Sequence, residues 1–280
     1  MKTGIVDVGG GLRDIYGAGV LDRCLDEGIH FDLCIGVSAG SANLAAYLAG
    51  QRGRNYKFYT EYAFRKEYMS MKNFVQSRSY VGLDYAYSVL SNSDGEDPLD
   101  YAHIAADPAE FLVVASDAES GTVKYFTKAD MSQDNYDICK ASCAIPFVCR
   151  PYPIGQRVYY DGALSDPVPV AKAMEEGCDK VVVILTRPKD VVRAVGKDEM
   201  IARRIRRKYP LASDNLLRRS ERYNAGVALA KEYQRQGKAL IVAPPSTGGL
   251  STLSRDKDAL THFYRRGYAD AASIGAFLNG

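Results

Sequence analysis

The sequence predicts an α/β fold: a mainly parallel sheet covered by helices on both faces, followed by a basic, helical C-terminal region. Three observations carry this. The first 50 residues alternate short apolar runs with helical segments. Those runs are apolar throughout, as expected of strands buried on both faces. From about residue 188 the chain turns basic and takes on a helical period.

The elements follow in order. "GIVDV" (4–8) reads as a strand, "IYGAGVLDRCLDEG" (15–28) as a helix, "FDLCIGV" (31–37) as a strand and "SAGSANLAAYLAG" (38–50) as a helix. Further strands are expected over 110–118, 122–127, 156–162 and 180–186, with helices over 135–143 and 167–177. Beyond them, 187–210 and 215–237 have the period of basic helices, "ALIVAPP" (239–245) suits one more strand, and 257–278 reads as a closing helix. Residues 193–222 hold ten Lys and Arg against four Asp and Glu. The division this suggests is one unit over 1–187 and a second over 188–280. The second is either a helical extension of the same core or a small appended domain.

A chain of 280 residues falls between one and two domains at about 150 residues each. It buries roughly three quarters of its unfolded surface and needs no disulfide staples. The net charge of +2 is too small to imply a nucleic-acid partner, and the six cysteines follow no framework spacing. Reduced thiols in a cytoplasmic protein are expected. The N-terminus lacks a secretory pattern. Apolar runs such as "VVVIL" (181–185) fall far short of the roughly 18 residues that span a bilayer.

The chemistry-bearing stretch is Gly36-Val37-Ser38-Ala39-Gly40, at the end of one expected strand and the start of a helix. A serine nucleophile must project from a tight strand-to-helix turn, and flanking glycines permit the close backbone approach this needs. The alternative is an N-cap serine in a glycine-rich turn. A second glycine loop, Gly9-Gly10-Gly11-Leu12-Arg13, follows the first strand. Its bare N–H groups suit an oxyanion or a phosphate. A dinucleotide-binding turn would want Gly-x-Gly-x-x-Gly. Gly9 and Gly11 fit it and Asp32 stands about 20 residues on, but the third glycine position is Asp14. A nucleotide-dependent reductase is therefore the rival from another class. Two glycine-rich turns at one edge of a parallel sheet explain both motifs with one site.

The only histidines are His30, His103 and His262. His30 precedes the strand that leads to Ser38, and the other two sit in polar or basic segments, so none is an evident base for Ser38. No histidine pair has metal-ligand spacing. A carboxylate is the remaining base, and Asp161, ending a strand before Gly162, supplies one; its other reading is an ordinary Asp-Gly turn.

Taken together, these residues resemble the patatin-like phospholipases. The resemblance rests on Gly9-Gly10-Gly11-Leu12-Arg13-Asp14, on Gly36-Val37-Ser38-Ala39-Gly40 and on Asp161-Gly162-Ala163, in that order. "YGAGVLD" after the first motif and "ASCAIPF" before the third add to it, so that it spans about residues 3–186. The stretch "LSRDKDALTHFYRRGYADA" is similar to the tail of a bacterial subgroup. The resemblance implies a three-layer α/β/α hydrolase with a Ser–Asp dyad. In it Ser38 attacks an ester carbonyl, Asp161 takes the proton, and Gly9, Gly10 and Gly11 with Arg13 bind the oxyanion. It implies a lipid or acyl-ester substrate and no metal or organic cofactor.

One position departs from the family pattern: the glycine loop ordinarily ends in glycine, and Asp14 stands there. A carboxylate at that place is expected to oppose an oxyanion or an anionic lipid, unless it pairs with Arg13 or serves the helix N-terminus. If it weakens catalysis, a lipid-binding or regulatory role is the alternative. Residues 55–90 are dense in Tyr and Phe, which suits an acyl-chain pocket or a lid. The helical spacing of Tyr56, Tyr59 and Tyr62 favours packing instead. The run Arg203 to Lys208 reads as a solvated helix face or as a peripheral contact with an anionic membrane surface.

Overall fold

The computed structural model describes residues 1–196 and 198–280. Its strands are β1 (Thr3–Asp7), β2 (Leu33–Val37), β3 (Glu110–Asp117), β4 (Val123–Phe126), β5 (Tyr152–Ile154), β6 (Arg157–Asp161), β7 (Lys180–Ile184) and β8 (Ala239–Val242). They form one sheet in the order β5-β6-β3-β2-β1-β7-β8, with β4 also paired to β3. The run β3-β2-β1-β7-β8 is parallel, and β4, β5 and β6 join antiparallel.

Successive strand residues point to opposite faces, and each face has its own apolar set. Ile5, Cys34, Phe111, Val113, Val182 and Ile184 pack into one core, while Val6, Ile35, Leu112, Val114, Val181 and Val183 pack into the other. The first core is closed by α1 (Ile15–Asp26), α2 (Ala39–Leu48) and α10 (Lys257–Asp270). The second is closed by α7 (Val170–Glu175) and α9 (Pro210–Arg235). Each fully buried Val, Leu or Ile contributes about 1.5–3 kcal/mol, so the two apolar faces hold the helices in place.

The segment after residue 187 enters both layers. β8 pairs with β7, Val181 opposite Ala239. α10 crosses α1 with almost no spacer: a Cβ on Gly19 would lie 2.2 Å from the Tyr264 carbonyl, and one on Gly267 2.0 Å from that of Tyr16. The expectation of helix from 187 onward fails for its first part. Residues 187–196 are non-helical and α8 (Asp198–Ile205) begins after them. Pro188 disfavours helix at Arg187, and Gly196 adopts φ 57°. The closing helix is also interrupted: a 3-10 turn at Ala271–Ser273 separates α10 from α11 (Ile274–Asn279). Between β2 and β3 lie α3 (Arg54–Thr60), where the helical spacing of Tyr56 and Tyr59 falls, and two short helices that the sequence patterning did not single out, α4 (Met71–Ser77) and α5 (Tyr101–Ala106). The helix expected over 135–143 is α6 (Asp137–Ser142), before β5.

Candidate active site

β3 decides where Ser38 and Asp161 lie. One of its edges carries β4 along residues 113–116. On the other edge Val114 pairs with Val37 of β2, and the next residue, Ala115, pairs with Asp161 of β6. The end of β2 and the end of β6 therefore meet at one point, and Ser38 follows Val37 directly. Gly162 is demanded there because a Cβ would sit 2.3 Å from the Val114 carbonyl oxygen.

Ser38 has φ 56° and ψ −130°, a conformation that costs a non-glycine residue about 1–3 kcal/mol and persists only where the surroundings impose it. They do so through both of its peptide groups. The Ser38 N–H donates to Ser142 Oγ (2.8 Å), which donates to the Val114 carbonyl (2.6 Å). The Ser38 carbonyl accepts from Ser41 Oγ (2.7 Å) and from the Ser41 N–H (3.0 Å). The flanking glycines permit close packing: a Cβ on Gly36 would lie 2.4 Å from Ser41 Cα, and one on Gly40 2.4 Å from the Asp7 carbonyl. The N-terminus of α2 starts at the next residue and favours negative charge beside Ser38.

The first glycine loop passes directly over this turn. Gly9, Gly10 and Gly11 all have positive φ, at 69°, 149° and 61°. A Cβ on Gly9 would lie 2.2 Å from the Val37 carbonyl, so only glycine brings the loop this close. The loop is pinned by Thr186 Oγ1 donating to the Gly9 carbonyl (2.8 Å) and by the Leu12 N–H donating to the Thr252 carbonyl (2.9 Å). The Gly10 N–H meets no acceptor among the described residues. Gly11 opens a 3-10 turn, ahead of its first intrahelical bond. Arg13 is buried and folds back toward Gly10.

Asp161 is buried, and its Oδ1 accepts from the Ala163 N–H at 2.8 Å. Burial lifts its pKa above the usual carboxylate range. The Ser38 hydroxyl, the Ala163 N–H and the charges of Arg219 and Arg193 pull it partly back. The Ser38 hydroxyl is near enough to Asp161 to act on its carboxyl, and such pairs tighten when substrate binds. All three histidines are exposed. His30 precedes the opposite end of β2, and His103 lies against Gly50, beyond the far end of α2. Asp32 is at that same remote end of β2, where Oδ2 accepts from the Thr3 N–H at 2.6 Å, so it is not placed to hold a ribose beside the glycine loop.

The expectation for Asp14 is corrected. It neither caps α1 nor pairs with Arg13: its side chain makes no cap bond and turns inward to Asp7. A Cβ on Gly17 would lie 2.7 Å from an oxygen of each carboxyl group. Asp7 accepts from the Gly9 N–H (3.1 Å) and from Asn43 Nδ2 (3.3 Å). Burial first, and then the Asp7 charge, push the Asp14 carboxyl well above its usual range, while burial raises Asp7 to about 6. Two fully buried carboxyls this close do not readily both ionise, so burial and the Asp7 charge favour a proton on the pair and bias Asp14 toward its neutral form. Asn43 and Tyr59 continue the network, Tyr59 donating to Asn43 Oδ1 at 3.1 Å.

Two cavities open onto Ser38. One is narrow, about 60 Å³, and is lined by Phe58, Tyr59, Tyr62, Met69, Val81 and Leu90 among others. The aromatic segment thus lines a pocket, although Tyr56 does pack as a helix residue, its ring 4.7 Å from that of Tyr264. The other is a wide cleft of about 940 Å³ that holds Gly9, Gly10, Gly11, Arg13, Ser38 and Asp161 together. Its outer wall comes from residues the motifs do not include: Arg187, Arg193, Arg219, Tyr223 and Thr252. The basic excess after residue 188 was their signal in the sequence, without saying which side chains face the cleft.

Comparison with known proteins identifies the family of the chain. Residues 8–174 match the family model described as patatin-like phospholipase, and residues 209–275 match a domain of unknown function, DUF6363. Over 189 residues the chain is 30% identical to the uncharacterized protein YjjU of Escherichia coli (strain K12). That match takes in 67% of this chain and 52% of YjjU, so the chain spans about half the length of that curated relative. Among solved structures, VipD from Legionella pneumophila superposes with a TM-score of 0.49 at 13% identity, covering 98% of this chain and 66% of that one.

Proposed function

Because the chain belongs to the patatin-like phospholipase family, we propose that it is a serine acyl-ester hydrolase of the lipase or phospholipase A type. Ser38 is the nucleophile and Asp161 its general base. The observation that carries this is the meeting of the Ser38 turn, Asp161 and the glycine loop in one cleft that no histidine lines. Asp161 takes the Ser38 Oγ proton as Oγ bonds to the acyl carbon. The oxyanion forms against the N–H groups of Gly10 and Gly11 and the Arg13 guanidinium; one such donor contributes about 3 kcal/mol. Asp161 then returns the proton to the departing alkoxide as the carbon–oxygen bond breaks. Water, deprotonated by the same carboxylate, then attacks the acyl carbon, and Asp161 returns the proton to Ser38 Oγ as the acyl–Oγ bond breaks and the acid leaves. A raised pKa makes Asp161 the stronger base for this cycle.

The narrow aromatic cavity takes the acyl chain, and the wide cleft takes the alcohol. Val191, Val192 and Leu253 on the cleft wall are 62%, 78% and 38% exposed, and the basic run Arg203 to Lys208 follows in the same segment. A lipid surface is met there, by apolar side chains at the mouth and by cations for anionic headgroups. No helix among the described residues is long and apolar enough to cross a membrane.

The observation behind a weak lipid-binding role, a carboxylate facing the oxyanion, is removed by the inward turn of Asp14. The test is labelling with a fluorophosphonate and peptide mapping, alongside hydrolysis of p-nitrophenyl esters. Modification at Ser38 with turnover supports the reading. An unlabelled Ser38 in folded protein defeats it.

A further inference from the structure

The wide cleft carries more positive charge than an oxyanion needs. Four arginines line it. Two of them, Arg219 and Arg193, face Asp198 at 2.6 and 3.9 Å. Arg13 and Arg187 have no carboxylate within 4 Å among the described residues. Arg13 is 5% exposed, and its Nε is buried without a hydrogen-bond partner. Its one side-chain bond is a long 3.5 Å contact to Thr252 Oγ1. The nearest carboxyl group, Asp14, is committed to Asp7. Burial, and then the repulsion of Arg187, lower the Arg13 pKa to about 10. Both cations line the cleft with Tyr223, over whose ring Arg193 lies at 5.5 Å.

An unpaired buried guanidinium such as Arg13 is costly, and a buried polar atom without a partner calls for an explanation; Arg187 is half-buried on the same cleft wall. An anion between them supplies the missing acceptors. Guanidinium groups fit phosphate oxygens through two parallel N–H bonds, and the same cleft offers Thr252 and Ser251 hydroxyls. We propose that Arg13 and Arg187, with the wall formed by α9 and the loop after β8, make a phosphate subsite on the leaving-alcohol side of Ser38. The preferred substrates are then esters of phosphorylated alcohols whose phosphate bears no compensating cation. This rests on the hydrolase reading of Ser38. It also assigns a task to the C-terminal region: the segment matching the domain of unknown function supplies Arg219, Tyr223 and Thr252 to the subsite.

The experiment has a binding arm and a kinetic arm, both on the full chain. Glycerol 3-phosphate is titrated calorimetrically into wild type, Arg187→Gln and Arg187→Lys. Binding is expected in wild type, about tenfold weaker in Arg187→Gln and partly restored in Arg187→Lys. In detergent micelles, kcat/KM is then compared for phosphatidate and phosphatidylcholine of one chain length. Wild type is expected to favour phosphatidate, and Arg187→Gln to reduce that ratio about tenfold. Binding that Arg187→Gln weakens, with no headgroup preference in wild type, would make the site one for free phosphate and overturn the leaving-group assignment. No binding in wild type overturns the subsite itself. Failure of the hydrolase reading is seen separately, as an unlabelled Ser38 in protein that still binds glycerol 3-phosphate.

Discussion

The two cavities that meet at Ser38 are opposites in build. The narrow one is walled mainly by the aromatic and aliphatic side chains of residues 54–91, a segment inserted between α2 and β3. The wide one is basic and is walled largely by residues after 186. Neither wall comes from the strand ends that deliver Ser38 and Asp161. In the proposed reading the chemistry and the selectivity reside on different parts of the chain: strand ends supply the reacting groups, and two further segments wall the cavities that lead to them. The buried network of Asp7, Asp14, Asn43 and Tyr59 reaches the narrow cavity through Asn43 and Tyr59, which line it.

The strongest way to break this arrangement is at its hinge. Ser38→Ala and Asp161→Asn are each expected to lower ester turnover by about 10³ or more while leaving the circular dichroism spectrum unchanged. The double variant should be little worse than either single one, since the two act as a unit. Steady-state rates on a p-nitrophenyl ester check this, and near wild-type turnover in Asp161→Asn would remove the dyad.

Filling the narrow cavity sharpens the contrast between the walls. Ala42 lines that cavity and does not line the cleft. Ala42→Leu should depress kcat/KM for long-chain esters about ten- to a hundredfold more than for acetyl esters. A chain-length profile parallel to that of wild type would take the acyl chain out of this cavity.

A third variant acts from the cleft side. Arg219 lowers the Asp161 pKa by its charge, and the base must be ionised to work. Activity therefore falls as pH drops through that pKa. Arg219→Gln removes the cation, raises the pKa further, and should move the acid limb of kcat/KM to higher pH. A limb that stays in place, or moves down, would show that the cleft arginines do not act on Asp161.

The smallest effect is expected in the buried network of Asp7 and Asp14. Asp14→Asn keeps the shape and removes one ionisation, so turnover should stay near wild type, whereas Asp14→Gly leaves a gap beside Asp7 and should cost about 2 kcal/mol. The sign of the pH dependence follows from the raised pKa values of Asp7 and Asp14. The folded chain keeps a proton that the unfolded chain releases above about pH 4. That contribution to stability is complete below pH 4 and is lost as pH rises toward and past 6. Asp14→Asn should flatten this decline, which melting temperatures from pH 4 to 8 measure. A severalfold rise in turnover in Asp14→Gly would instead restore an electrostatic role for this carboxylate.

Much of this was legible in the chain because it obeys local rules. Apolar strands alternating with helices marked β1, α1, β2 and α2, and the two glycine turns stood where the sequence put them. Glycine at 9, 36, 40 and 162 is required by backbone contacts under 2.5 Å, which is why those positions formed readable motifs. The sequence by itself thus determined the layers of the fold and marked Ser38, Asp161 and the glycine loop as the candidate site. Only the tertiary structure decided the rest. Asp14 read as an anion near the oxyanion because its neighbour Asp7 lies a strand-to-helix turn away, and burial rather than spacing favours a proton on the pair. Ser142, which holds the Ser38 N–H, is 104 residues distant in the chain. Arg187, Arg219 and Tyr223 reach the cleft only because β8 docks on β7 and α9 covers the sheet. Periodicity can state that a face is apolar or basic, but the partner each face meets is set by long-range packing.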